Sequence, residues 1–197
     1  MSDEEVESAV ENIYENMSDE DSLKEGFAKL EATVSEMREK VYASENVTFA
    51  AVKDVDGVLR SSKLLNSLAK KREYNIPVHT KNGMVNVSLK LVSGESSRMS
   101  LSFESSETGR VGINCKAERE RVDVFALSDS EEGVRIIEDE SDSISRELKT
   151  LGFNEVNLNT GKSDVLLELF GNAEESDSVS SARLYGVAKI FISHLVH

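Results

Sequence analysis

The chain has 197 residues, of which 39% are hydrophobic and 30% charged, and its formal net charge is -14 at pH 7. This length is enough for one sizeable hydrophobic core, or for a core domain with a helical extension. The net charge disfavours nucleic acid and anionic lipid as partners, because both surfaces would repel an acidic protein.

The only cysteine, Cys115, excludes an intrachain disulfide and suits a reducing compartment. The N-terminus is acidic and lacks the basic-then-apolar layout of a secretory signal. No apolar run approaches the roughly 18 residues of a membrane span. We therefore expect a cytoplasmic protein without a membrane partner. Export by a type III apparatus, which needs no such signal, stays open.

Residues 1–45 are predicted to form an acidic segment of two helices. The first covers residues 2–17, where Ser2 and Glu5 have the spacing of a capping box. The second opens with Ser22 and Glu25 in the same spacing. Its apolar residues then repeat at intervals of four and three, as along a coiled-coil seam: Leu23, Phe27, Leu30, Val34, Met37 and Val41.

The same segment holds fourteen acidic and four basic residues, a net charge of -10. Two interpretations fit this charge: an acidic arm that binds a partner, or the solvated outer face of a helical hairpin.

Residues 46–75 are predicted to contain a linker and a third helix over residues 55–73. Gly57 leaves the start of this helix open, because glycine is a poor helix former. The helix is expected to end with Lys70, Lys71 and Arg72. These cations could complement the helix dipole in its last turn, or they could bind an acidic partner.

Residues 76–161 are predicted to form an α+β core domain, because at Glu73 the apolar period changes from helical to alternating. Pro77 suits an edge strand or the start of a strand. The sequence Asn82-Gly83 predicts a hairpin turn. The alternating apolar residues of three strands follow one another with short turns between them: Tyr74, Ile76 and Val78; Val85, Val87, Leu89 and Leu91; Met99, Leu101 and Phe103.

Two further strands alternate through Ile113 and Val124, and their exposed face is predicted to carry Asn114, Lys116 and Asp123. A helix from about Glu132 to Leu151 then stops at Gly152, and a short closing strand contains Val156 and Leu158. The predicted fold is therefore α+β: an antiparallel or mixed sheet of five or six strands with a packed helix in a β-β-α-β core. N-terminal helices and a C-terminal helix complete it.

Residues 162–197 are predicted to hold an apolar segment, a polar loop and an amphipathic C-terminal helix. Leu184, Ala188 and Phe191 repeat along one side of that helix. We predict this stripe as a surface that contacts a partner. The alternative is that the stripe covers the sheet.

No motif in the chain points to catalysis or to a cofactor. His194 and His197 are three residues apart, but no cluster of cysteine and histidine accompanies them for a metal. His79 lies beside a predicted turn, and Cys115 falls among the apolar positions of its strand. We therefore predict no enzyme activity, no metal and no cofactor.

The run from Gly109 to Leu158 carries a more specific pattern. Its strand segments, residues 108–113 and 121–124, precede a helix that ends in Leu148-Lys149-Thr150-Leu151-Gly152-Phe153. In this combination the run resembles the C-terminal domain of flagellar hook-length control proteins. The flanking segments 73–78 and 183–189 are similar to uncharacterised hook-length-control-like proteins of anaerobic Gram-positive bacteria.

The resemblance implies a domain without catalytic residues that acts at the flagellar type III export gate. There it would contact the cytoplasmic domain of the gate's switch protein and change export from hook to filament subunits. Two other hypotheses stay open. One is a structural or oligomeric adaptor that assembles through its N-terminal helices, and the other is an enzyme with an unrecognised site. The oligomeric state is not predicted.

Overall fold

The computed structural model describes residues 3–44, 47–92, 97–163 and 181–196. Within these ranges the chain forms five α helices and six β strands. The chain divides into two compact units, Met1–Tyr74 and Asn75–His197.

The first unit is helical, with α1 (Asp3–Glu15), α2 (Glu20–Ala43) and α3 (Phe49–Ala69). Helix α2 packs against both α1 and α3. The predicted apolar seam of α2 accounts for this, because four of its members are buried: Leu23, Phe27, Leu30 and Val34. The Phe27 ring stacks on Tyr74 with 6.3 Å between the ring centroids.

Helix α2 begins earlier than predicted. Its N-cap is Asp19, whose Oδ1 accepts a hydrogen bond from the Ser22 backbone N–H at 2.8 Å. The Ser22 hydroxyl accepts in return from the Asp19 N–H at 3.1 Å. Ser22 is thus the third helical residue of a capping box, and the N-cap is Asp19. Aspartate is at least as good an N-cap as serine, so the helix can begin three residues earlier. The other predicted cap, Ser2, lies outside the described residues.

Helix α3 also differs from its prediction at both ends. It begins at Phe49, where the N-cap Thr48 accepts from the Ala51 N–H at 3.2 Å, and it continues through Gly57. It ends at Ala69, so the prediction that Lys70, Lys71 and Arg72 lie in its last turn is wrong. Arg72 has a positive φ of 60° and forms an ion pair with Glu20 at 2.9 Å, which satisfies its charge outside the helix.

The six strands form one sheet in the order β1-β2-β3-β4-β5-β6. Their bounds are β1 (Glu73–Thr80), β2 (Gly83–Val92), β3 (Ser97–Ser105), β4 (Gly109–Glu118), β5 (Arg121–Ser128) and β6 (Glu155–Lys162). Strands β2 to β5 pair antiparallel, whereas β5 and β6 pair parallel. The parallel pair needs a crossover, and α4 (Glu131–Thr150) provides it. The predicted turn at Asn82-Gly83 and the edge position of the strand that holds Pro77 are confirmed.

One face of the sheet is covered by helices. Helix α4 packs on β4, β5 and β6, and α5 (Ser181–Leu195) packs on β2, β3 and α4. Strand alternation delivers most apolar side chains of β2 to β5 to this side, where Ile113, Val124 and Leu101 are fully buried. The fold is α+β with a mixed sheet, as predicted.

Both ends of α4 are capped. At its start the hydroxyl of Ser130 accepts from the Gly133 N–H at 2.8 Å. At its end Gly152 has a φ of 89°, and the Phe153 N–H reaches the Leu148 carbonyl at 3.3 Å. This is the predicted glycine stop, in which the fully buried Phe153 makes the apolar contact of a Schellman motif.

Candidate protein-binding face of the sheet

The second face of the sheet carries a different set of side chains. We call it the open face: the side of β2 to β6 away from α4 and α5, centred on Phe125. Cross-strand pairing places one row across it, in the order Lys90, Ser100, Asn114, Phe125 and Asn159. The described helices of this unit pack on the other side, so their packing does not account for this row.

Phe125 is the only aromatic member of this row. Phe125 is 48% exposed although its strand, β5, has a neighbouring strand on each side. Its neighbours on both sides are amides, Asn114 on β4 and Asn159 on β6. An exposed aromatic ring with polar neighbours is typical of the anchor of a protein interface, because the ring supplies apolar area and the polar groups around it supply hydrogen bonds.

The row beside Phe125 contains a fixed polar network. The Arg121 guanidinium hydrogen-bonds both carboxylate oxygens of Asp123, at 2.9 and 3.0 Å, and Asn157 Nδ2 donates to the same carboxylate at 2.8 Å. The hydrogen bond from Arg121 lowers the pKa of Asp123 in spite of the opposing effect of burial. This carboxylate therefore stays ionised and paired, and it contributes shape and polarity rather than a free charge.

Of the three residues predicted for the exposed side of this strand pair, two are where we expected them. Lys116 is exposed and pairs with Glu118 at 2.6 Å, and Asp123 is half-buried. Asn114 is only 8% exposed, so its prediction as an exposed residue is wrong. It lies in the middle of the sheet, between Ser100 of β3 and Phe125 of β5.

The structure places Leu184, Ala188 and Phe191 elsewhere. All three are 0% exposed, on the side of α5 that faces the sheet and α4. Their position matches the alternative given above, in which the stripe covers the sheet. Contact of these residues with a partner stays a prediction, and it would require α5 to leave the sheet.

His194 is held between two carboxylates of α4. Its Nδ1 lies 2.7 Å from Glu140 Oε2, and its Nε2 lies 2.9 Å from Glu147 Oε1. Burial lowers the pKa of His194, but hydrogen bonds with Glu147 and Glu140 more than offset this and leave the pKa above its ordinary value. The protonated ring donates one hydrogen bond to each carboxylate, so this arrangement fastens the end of α5 to α4.

The remaining candidates for chemistry are dispersed. Cys115 is buried in β4, and burial together with the charge of Asp123 raises the pKa of its thiol to about 12. His79 is exposed on β1, and His197 lies outside the described residues. Among the described residues, no group of three or more histidine, cysteine, aspartate or glutamate side chains could hold a metal ion.

Sequence reasoning missed Phe125, although a signal for it was present. In the segment Val122-Asp123-Val124-Phe125-Ala126 the apolar alternation runs through Val122, Val124 and Ala126. A phenylalanine out of phase with that alternation must point to the opposite face of the sheet.

The comparisons with known proteins add no relative. No protein-family model, curated protein or solved structure matches the chain. No helix within the described ranges combines the length and apolarity that a bilayer crossing requires.

Proposed function

We propose that the chain is a non-catalytic protein-interaction module that binds its partner through the open face. The observation that carries this proposal is Phe125, a half-exposed aromatic side chain on β5, which is hydrogen-bonded to a strand on each side. A rigid scaffold is suited to recognition, because little side-chain and backbone freedom is lost when a partner binds.

The partner proposed is the cytoplasmic domain of the flagellar export-gate switch protein. Two features support this proposal. One is the residue pattern from Gly109 to Leu158, which resembles hook-length control proteins. The other is the element order β4, β5, α4 and β6, which is the order that the resemblance implies. The module would act in the cytoplasm and change the export specificity of the gate. Its own export through the flagellar type III apparatus is the alternative location.

The experiment is a calorimetric titration of the full chain with the purified cytoplasmic domain of the switch protein. We expect binding, and we expect Phe125→Ser to weaken it by about 30-fold, the size of an interface hot spot of about 2 kcal/mol. The matched control is Val58→Ser. Val58 is 46% exposed on α3, so this variant removes a similarly exposed apolar side chain far from the open face in sequence.

The results test the binding face, the partner and the flagellar role separately. Loss of binding in Phe125→Ser but not in Val58→Ser supports the open face and the partner together. Binding that both variants retain would reject the open face and keep the partner. No binding by the unmodified chain, together with normal flagella in a deletion strain, would reject the flagellar role.

A further inference from the structure

The outer side of α3 carries an exposed basic surface with apolar residues at its two ends. Phe49, Lys53, Arg60, Lys63 and Leu64 follow one another at spacings of four, seven, three and one, which keeps them on one side of the helix. Phe49 is 86% exposed and Leu64 60% exposed. We call these five residues the basic stripe. The buried residues of α3, such as Val55 and Leu59, lie on a different side.

Within the described part of the chain, none of the three cations of the basic stripe forms an ion pair. One carboxylate of α3, Asp56, interacts electrostatically with Arg60 but is already hydrogen-bonded to other partners. It accepts from Arg38 Nε at 2.7 Å and from the Tyr42 hydroxyl at 2.9 Å. Three unpaired cations on one helix side are unexpected in a chain of net charge -14, in which residues 1–45 alone carry -10.

We propose that the basic stripe binds an acidic amphipathic helix of a partner protein. The carboxylates of that helix would pair with Lys53, Arg60 and Lys63, while its apolar residues would cover Phe49 and Leu64. The sixteen residues from Phe49 to Leu64 span about 22 Å at a rise of 1.5 Å per residue, which corresponds to about four turns of a partner helix.

Charge complementarity selects this occupant over the others. A second copy that docked α3 against α3 in antiparallel fashion would bring cations against cations. Nucleic acid and anionic lipid present negative charge over an area larger than the basic stripe, so the net charge of the chain would oppose them more than it opposes a helix of about four turns. The basic stripe lies in the helical unit and involves no residue of the open face, so this inference goes beyond the proposed function.

The test uses two synthetic peptides of about 20 residues with the same leucine pattern on a helical repeat. In one peptide all exposed positions are glutamate, and in its twin they are lysine. Binding to the full chain is followed by fluorescence anisotropy. We expect the acidic peptide to bind, the basic twin not to bind, and the affinity to fall as salt is added.

Two variants separate the basic stripe from the overall charge. The triple reversal Lys53→Glu, Arg60→Glu and Lys63→Glu is expected to lower the affinity for the acidic peptide by at least about tenfold. It is also expected to create binding of the basic twin. The control reversal uses three other exposed lysines and gives the same net charge: Lys29→Glu, Lys81→Glu and Lys149→Glu. The affinity of this control variant for the acidic peptide is expected to stay within about twofold of that of the unmodified chain.

Leu64→Gln changes no charge and tests the apolar end, where we expect at least about fivefold weaker binding. The proposal is overturned by equal binding of both peptides, by no binding of either, or by equal losses in the two triple variants. It is also overturned if vesicles of phosphatidylserine and phosphatidylcholine bind the chain through the same three cations while the acidic peptide does not.

Discussion

Replacing Gly133 with alanine is expected to destabilise the second unit, although alanine favours helices over glycine. A Cβ atom at Gly133 would overlap the Ser128 side chain and the Thr108 carbonyl oxygen. Ser128 is fully buried and donates a hydrogen bond to that carbonyl at 2.9 Å. Because the carbonyl belongs to the backbone between two strands, it cannot rotate away as a flexible side chain would.

The magnitude follows from three contributions. Alanine gains at most about 1 kcal/mol of helix propensity. Overpacking costs about 1–3 kcal/mol, and a buried hydrogen bond left unmade costs about another 1–3 kcal/mol. The unfavourable contributions dominate, so we expect Gly133→Ala to lower the free energy of unfolding by about 2–4 kcal/mol.

Gly57 provides the matched control, because it is also a helix glycine but nothing lies within 4 Å of a Cβ added there. Gly57→Ala should raise the free energy of unfolding by about 0.5–1 kcal/mol. Urea unfolding followed by circular dichroism gives both values, and amide hydrogen exchange in α3 and α4 assigns each change to its helix. The reasoning is refuted if Gly133→Ala is as stable as the unmodified chain, or if the two variants shift in the same direction.

Three further predictions concern single side chains. The pKa of His194 lies above its ordinary value of 6.5, so its stabilisation is complete below about pH 6.5 and is lost as the pH rises through the folded-state pKa. Urea unfolding between pH 6 and 8 should show this loss of unfolding free energy, and His194→Gln should abolish its pH dependence. The same pH dependence in the variant would contradict a stabilising role for the hydrogen bonds between His194 and the two carboxylates. Cys115 should react with Ellman's reagent only as fast as the chain opens, because burial keeps its thiol protonated; rapid reaction in the native protein contradicts this. Ser130→Ala should cost about 1 kcal/mol of unfolding free energy through loss of the α4 cap, and a neutral effect would rule the cap out.

Local patterns were sufficient for most of the sheet. The alternation around Ile113 and Val124, the turn at Asn82-Gly83 and the stop at Gly152 each depend on neighbours in sequence, and the structure has them where they were expected. These features are predictable because turn geometry and side-chain alternation are set by the backbone itself.

Helix starts were less predictable. Asp19 and Ser22 are both good N-caps three residues apart, and only the folded geometry decides between them. At α3 the low propensity of Gly57 suggested a later start, whereas Thr48 caps a helix that continues through it. The buried residues Val55 and Leu59 provide packing that overrides the local cost of one glycine.

The candidate surfaces depend on tertiary structure, and the sequence alone could not define them. The hydrogen bonds of His194 join it to Glu140, 54 positions earlier in the sequence, and to Glu147, 47 positions earlier. The open face needs the strand register that sets Phe125 between Asn114 and Asn159. The burial of Leu184 could not be predicted either. A helix whose apolar side covers a sheet has the same amphipathic pattern as one whose apolar side binds a partner.

The most direct test of the open face is a chemical-shift map. The ¹⁵N-labelled full chain is titrated with the unlabelled cytoplasmic domain of the export-gate switch protein, and amide shifts are followed. We predict the largest changes at Phe125 and at its row neighbours Asn114 and Asn159, with small changes along α4 and α5. Changes confined to α4 and α5, or no change at any amide, would contradict the open face as the binding surface.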